Sequence, residues 1–168
     1  MMPAVVTATV DRGEPVITAG GTLLVPWWSF TKTVLAAVAL TLVRGGTLGL
    51  DLKPEGEPYT LRQLLQHTAG LGDYGELAEY HAAVGRRDDP WPVVELLARS
   101  RADELRYPPG EGWRYSNIGY LKVGQLIERM TGMPLGTTLE RSGAPVVIAA
   151  FASGDDSGVV ERVAFGIA

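Results

Sequence analysis

Ser29 and Lys32 stand three residues apart at the start of an apolar run, and Tyr115 and Asn117 stand two apart just before another. Each pair has a chemical reading. Residues i and i+3 share one face of a helix, so the Lys32 amine can reach the Ser29 hydroxyl. Serine is a poor nucleophile until a neighbouring base takes its proton. Lysine serves as that base only if its pKa falls from about 10.4 toward about 7–8, a bias of about 4 kcal/mol. Burial beside Trp27, Trp28 and Phe30 would supply part of that bias by desolvation. Backbone amides at the helix start can help hold an oxyanion. Tyr115-Ser116-Asn117 adds a phenol that can shuttle a proton beside a cation. Its asparagine amide can bond both the lysine and a substrate carbonyl. The triplet falls on a loop, where side chains can face a cleft.

The chain has 6 Ser, 3 Lys, 6 Tyr and a single Asn. One accidental S-x-x-K therefore has a chance of about 0.1 and one accidental Y-x-N about 0.04, so the two together are far more informative than either. Taken alone, Ser29 reads equally well as a helix cap with Lys32 a solvated side chain.

The elements that must carry these residues are legible in the pattern. Val5 to Val10, a turn at Asp11 to Glu14, and Pro15 to Ala19 read as an opening hairpin. Ser29 to Val43 reads as a helix that is apolar nearly all round, hence central and buried, ended by Arg44-Gly45-Gly46. Thr60 caps a short helix, Leu61 to Gln66, and Ala69 to Gly75 is a glycine-rich loop. Trp91 to Ser100 follows as a helix with acidic residues before it. Ile118 to Met130 is a second strong helix, stopped by Gly132 and Pro134. Val146 to Phe151 has the length and apolarity of a strand, and Val159 to Ile167 suits a closing amphipathic helix. Strand runs at both ends with helices between predict a mixed domain whose terminal strands share a sheet.

Composition sets limits. With 168 residues, 46% of them hydrophobic and 20% charged, one globular domain is expected across 1–168. A net charge of −4 without a basic block argues against a nucleic-acid partner. Cysteine is absent, which removes disulfides and thiol nucleophiles. The two histidines, His67 and His81, are too isolated for a zinc site. No cofactor is implied. The run Val34 to Val43 is too short to span a membrane. Met1 to Val10 shows no secretory signal, so the expected location is cytoplasmic. His67 reads as a loop bridge rather than a base, His81 as a surface helix residue, and Asp73, Asp88 and Asp89 as no paired-carboxylate site. Trp27, Trp28 and Trp113 read as core or cleft walls.

Longer stretches resemble a known group, the serine β-lactamases, penicillin-binding proteins and family VIII esterases. Trp28 to Thr33 is similar to its nucleophile helix, and Gly46 to Asp51 to the segment after it. Thr60 to Leu71 closely matches the signature "TLRQLLxHTSGL", and Pro109 to Asn117 resembles "PGxxxxYSN". Phe151 to Asp156 is similar to the closing strand and turn of some members. This resemblance implies an α+β fold, an antiparallel sheet with helices on both faces. It implies an acyl-enzyme on Ser29, with Lys32 as base, Tyr115 as proton relay and Asn117 orienting lysine and substrate. The oxyanion would be held by the Ser29 amide and one from the closing strand.

The departures shape the expectation. Members carry a long region between the Y-x-N helix and the last strands, and here only Met133 to Ala144 separates them. The third motif, K/H-T/S-G on a strand edge, has one candidate copy, Arg141-Ser142-Gly143. There a cation would hold a substrate carboxylate, and glycine would admit the acyl group. The same residues read equally well as a polar linker. The function expected is hydrolysis of small esters or amides through an acyl-enzyme on Ser29, the partner being a small-molecule ester, amide or β-lactam substrate, with little or no turnover of β-lactams. The rival is a non-catalytic remnant or binding module. The sequence gives no oligomeric state.

Overall fold

The structure, a computed structural model, describes residues 7–11, 14–19 and 29–141. Strands β1 (Thr7–Asp11) and β2 (Glu14–Ala19) pair antiparallel, with an irregularity between Thr7 and Ala8. Helices follow: α1 (Phe30–Arg44), α2 (Leu61–Leu65), α3 (Ala78–Arg86), α4 (Val93–Arg99), α5 (Asn117–Thr131) and α6 (Leu135–Arg141). A single 3-10 turn, Tyr74–Glu76, precedes α3.

The organising element is α5, which packs against α1, α2 and α6. Its Ile118, Val123 and Ile127 are fully buried. Its boundaries are set locally. The Ser116 hydroxyl accepts the Gly119 amide at the start, and Gly132 closes the end in the left-handed conformation. Helix α2 carries a reciprocal cap. Gln63 N–H donates to Thr60 Oγ1 and Thr60 N–H to Gln63 Oε1, so two otherwise orphaned amides are satisfied. The buried pair Leu61 and Leu64 then faces α5.

Helix α1 departs from the expectation of burial all round. Leu35, Val38 and Ala39, at i, i+3 and i+4, are buried, while Thr33, Ala37, Leu40 and Thr41 are exposed. One stripe, not the whole circumference, meets the core. Helix α6 occupies part of the stretch read as linker or third motif. Its Leu135 and Leu139 are buried, and Gly124 on α5 leaves room for Leu135. A Cβ at Gly124 would stand 3.2 Å from a Leu135 methyl.

The fold class read from the sequence is corrected. Among the described residues, strands are confined to β1 and β2, which pair with each other, and the packed core is helical. There is no antiparallel sheet with helices on both faces among those residues. The physical reason is how the helices bury their apolar stripes: α1, α2 and α6 lie on α5, helix on helix. A lone two-stranded hairpin offers too small a face to cover them. The expected strand Val146 to Phe151 and closing helix Val159 to Ile167 lie outside the described residues.

Candidate active site

The loop after α2 is bent back by two left-handed residues, His67 (φ 60°) and Gly70 (φ 82°). Backbone bonds then staple it to the segment before α5. Arg106 N–H donates to Gly70 O (2.7 Å), Gly110 N–H to Thr68 O (2.9 Å) and Arg114 N–H to His67 O (3.0 Å). Gly70 cannot be larger, because a Cβ there would sit 2.2 Å from Tyr107 O. This pairing brings residues 67–73 beside Tyr115, Ser116 and Asn117.

Ser29 stands at the N-cap position of α1, but with αR dihedrals (φ −66°, ψ −10°), and its hydroxyl makes no capping bond. A capping side chain needs extended backbone, so the hydroxyl is turned elsewhere. It shares a 2.7 Å hydrogen bond with Tyr115 Oη. Lys32 Nζ donates to Ser29 Oγ at 3.3 Å and to Asn117 Oδ1 at 2.6 Å. The ammonium also lies 4.9 Å from the Tyr115 ring centroid and 5.8 Å from that of Tyr120. Ser29 is exposed, Tyr115 is 38% exposed and Lys32 only 6%. The geometry is thus a solvent-facing hydroxyl backed by a buried amine.

Burial pushes the Lys32 pKa down from 10.5 to about 8, partly opposed by the charge of Asp73. An amine in that range is half neutral in mildly alkaline water, which a general base requires. Neutral Lys32 would still donate one N–H to Asn117 and keep its lone pair for the serine proton.

His67 behaves as a bridge. Its Nδ1 accepts the Ser116 N–H at 3.1 Å, so the ring proton of the neutral form belongs on Nε2. Its ring stacks on Tyr115 at 4.7 Å between centroids, tilted by 31°. Burial, and then the Lys32 cation, hold His67 below the usual histidine range. His81 lies on α3, exposed, bonded to Gly75 O. Trp113 is 67% exposed rather than core, and Trp27 and Trp28 lie outside the described residues.

Arg141 is in the last turn of α6, exposed, and its Nη1 contacts Met133 Sδ at 3.2 Å. The structure does not join it to the hydrogen-bonded group of Ser29, Lys32, Tyr115 and Asn117. Ser142 and Gly143 lie outside the described residues. Asp73, dismissed on sequence grounds, is a direct neighbour of that group. Its carboxylate accepts from Asn117 N–H (2.9 Å), Asn117 Nδ2 (3.1 Å) and Gly75 N–H (2.8 Å). The only sequence signal for it was its glycine-rich loop, since 44 residues separate it from Asn117.

No group of three or more His, Asp or Glu able to hold a metal converges among the described residues. Nor, among them, is any helix long and apolar enough to cross a membrane. Two clefts of about 260 and 460 Å3 are lined by other residues, Glu57, Tyr59 and Lys122 in common, and not by the Ser29 group.

Comparison with known proteins gives the arrangement a family. Esterase EstB of Burkholderia gladioli is 32% identical over 134 residues, 67% of this chain and 33% of the esterase. A D-aminopeptidase of Cereibacter sphaeroides is 32% identical over 139 residues, 76% of this chain and 25% of the enzyme. Among solved structures, the D-stereospecific amidohydrolase from a Streptomyces species superposes with a TM-score of 0.62 at 31% identity, covering 72% of this chain and 41% of that one. The chain spans a third or less of the length of the curated relatives it matches, 33% of esterase EstB and 27% of penicillin-binding protein 4* of Bacillus subtilis. The β-lactamase family model matches residues 1–162, nearly the whole sequence, and with Ser29, Lys32, Tyr115 and Asn117 drawn together the chain belongs to the β-lactamase family.

Proposed function

We propose that this chain carries the nucleophile of a serine hydrolase that acts on small esters or amides through an acyl-enzyme on Ser29. The observation that carries the reading is the continuous hydrogen-bonded set from Tyr115 Oη through Ser29 Oγ to Lys32 Nζ and Asn117 Oδ1. Ser29 Oγ attacks the substrate carbonyl carbon as neutral Lys32 accepts its proton. The tetrahedral oxyanion collapses, and the leaving alkoxide or amine departs with a proton relayed through Tyr115. Water then attacks the Ser29 ester, returns its proton to the same set, and frees the acid. Asn117 holds the lysine amine against the serine. The relatives point the same way, since one is an esterase, one a D-aminopeptidase and one a D-stereospecific amidohydrolase.

The purified chain is expected to be labelled by a fluorophosphonate, with the adduct mapping to Ser29. Turnover of p-nitrophenyl acetate should be weak and that of nitrocefin slight, because a β-lactam also needs an anchor for its carboxylate. Ser29→Ala and Lys32→Arg should abolish labelling while leaving the melting temperature unchanged. Robust nitrocefin turnover, or an adduct at another residue, contradicts the proposal. The rival, a non-catalytic binding module, is favoured by the placement of Arg141 on α6, where it contacts Met133 and not the Ser29 group. Complete failure to label would select it.

A further inference from the structure

Asp73 is 5% exposed and makes three hydrogen bonds, all as acceptor, two of them to Asn117. A carboxylate has no hydrogen to give, so the asparagine must turn its Nδ2 toward Asp73 Oδ1. The amide oxygen then has one direction left, toward Lys32 at 2.6 Å. Were the amide flipped, its oxygen would face the carboxylate and its NH2 the lysine amine, and both contacts would be lost. Asn117 Oδ1 in turn occupies one N–H of Lys32, which leaves the remaining face of the amine for Ser29 Oγ at 3.3 Å.

We propose that Asp73 is a positioning residue for the hydrolysis, fixing the amide orientation of Asn117 and through it the direction of the Lys32 amine. This inference rests on the reading of Ser29 as nucleophile for its kinetic consequence, whereas the orientation of Lys32 is independent of turnover. Asp73 has an electrostatic effect as well. Among the described residues, Lys32 is faced by the Tyr115 and Tyr120 rings, Ser29 and Asn117, with His67 and Asp73 as further titratable groups nearby. Arg114, on the segment before α5, is paired with Glu76. Asp73 is the group whose charge opposes the effect of burial on Lys32.

The test uses Asp73→Asn and Asp73→Glu in the full chain, with two readouts. One is the rate of fluorophosphonate labelling of Ser29. The other is titration of the Lys32 13Cε resonance, assigned by its absence in Lys32→Arg. Asparagine has the size of aspartate but aims an NH2 at a donor in either orientation, so no rotamer restores the three bonds. Asp73→Asn should slow labelling at its high-pH plateau by about tenfold or more, a part of the roughly 10²–10⁴-fold that a positioned general base contributes. It should also move the Lys32 midpoint below that of the wild type, because the opposing negative charge is gone. Asp73→Glu keeps the charge but not the geometry, so it should slow labelling with the midpoint near wild type. A purely structural Asp73 would lower the melting temperature and leave the plateau labelling rate of the folded variants in place. Should Asp73→Asn not fold, Asp73→Glu decides by its labelling rate, and a wild-type rate overturns the proposal. A folded Asp73→Asn with a wild-type plateau rate overturns it equally, whatever its midpoint. Absence of labelling in the wild-type chain counts against the acyl-enzyme reading alone; the side-chain amide resonances of Asn117, the single asparagine of the sequence, then decide the placement, since they shift in folded Asp73→Glu if Asp73 holds that amide and their staying in place overturns the proposal.

Discussion

Under the proposed mechanism, the acid limb of Ser29 labelling reads out the Lys32 environment directly. Burial lowers that amine to about 8 from 10.5. With a midpoint there, about 10% of Lys32 is neutral at pH 7 and about 90% at pH 9. The rate of fluorophosphonate labelling should therefore rise about tenfold between pH 7 and pH 9 and then level off. An ordinary solvated lysine behaves differently. With a midpoint of 10.5, its neutral fraction grows about a hundredfold over the same interval and shows no plateau before about pH 11. His67 does not confuse the window, because burial and the Lys32 charge hold it below 6.5. The assay is second-order labelling by a fluorophosphonate at several pH values, corrected for hydrolysis of the probe, with Lys32→Arg as control. Arginine stays protonated throughout, so the control should not label at any of these pH values. A hundredfold rise without a plateau, or wild-type labelling by Lys32→Arg, would falsify the base role of Lys32.

Three further outcomes test the scaffold. Gly70→Ala should cost at least about 2 kcal/mol in a urea melt, because the new Cβ overlaps Tyr107 O at 2.2 Å and sits at φ 82°; an unchanged midpoint would mean that the loop yields easily. Tyr74 Oη is buried with no hydrogen-bond partner among the described residues. Tyr74→Phe should therefore raise the melting temperature by about 3 °C, relieving a penalty of about 1 kcal/mol. Burial also keeps the Tyr59 and Tyr74 phenols protonated far above their usual 10. Their stabilisation is present below pH 10 and is lost as pH rises beyond it, since the unfolded phenols ionise first. Thermal melts should show that decline, reduced in Tyr74→Phe, and a flat profile from pH 9 to 11 contradicts it. Ile127→Ala, at a fully buried position on α5, should cost about 2–5 kcal/mol by chemical denaturation, and a loss below about 1 kcal/mol would show that α5 is not the centre of the core.

What the sequence determined by itself is what depends on neighbours a few residues away. The spacing of Ser29 and Lys32 needs only a helical turn to bring hydroxyl and amine together, and α1 supplies it. The cap at Thr60 and Gln63, and the ends of α5 at Ser116 and Gly132, are equally local, and they stand within a residue or so of where the pattern put them. Helix α6 shows the limit of that reasoning. Its Leu135 and Leu139 have helical spacing, yet only the gap beside Gly124 reveals what Leu135 packs against. The sheet with helices on both faces was inferred from resemblance, and the described chain instead buries helix against helix. The meeting of Lys32 with Asn117 spans 85 residues, that of Ser29 with Tyr115 86, and that of Asp73 with Asn117 44. No local periodicity encodes such contacts. They follow from α1 and α5 sharing one core and from a glycine loop stapled to residues 106–114, so it was the tertiary structure that turned a dismissed carboxylate toward the asparagine that holds the lysine.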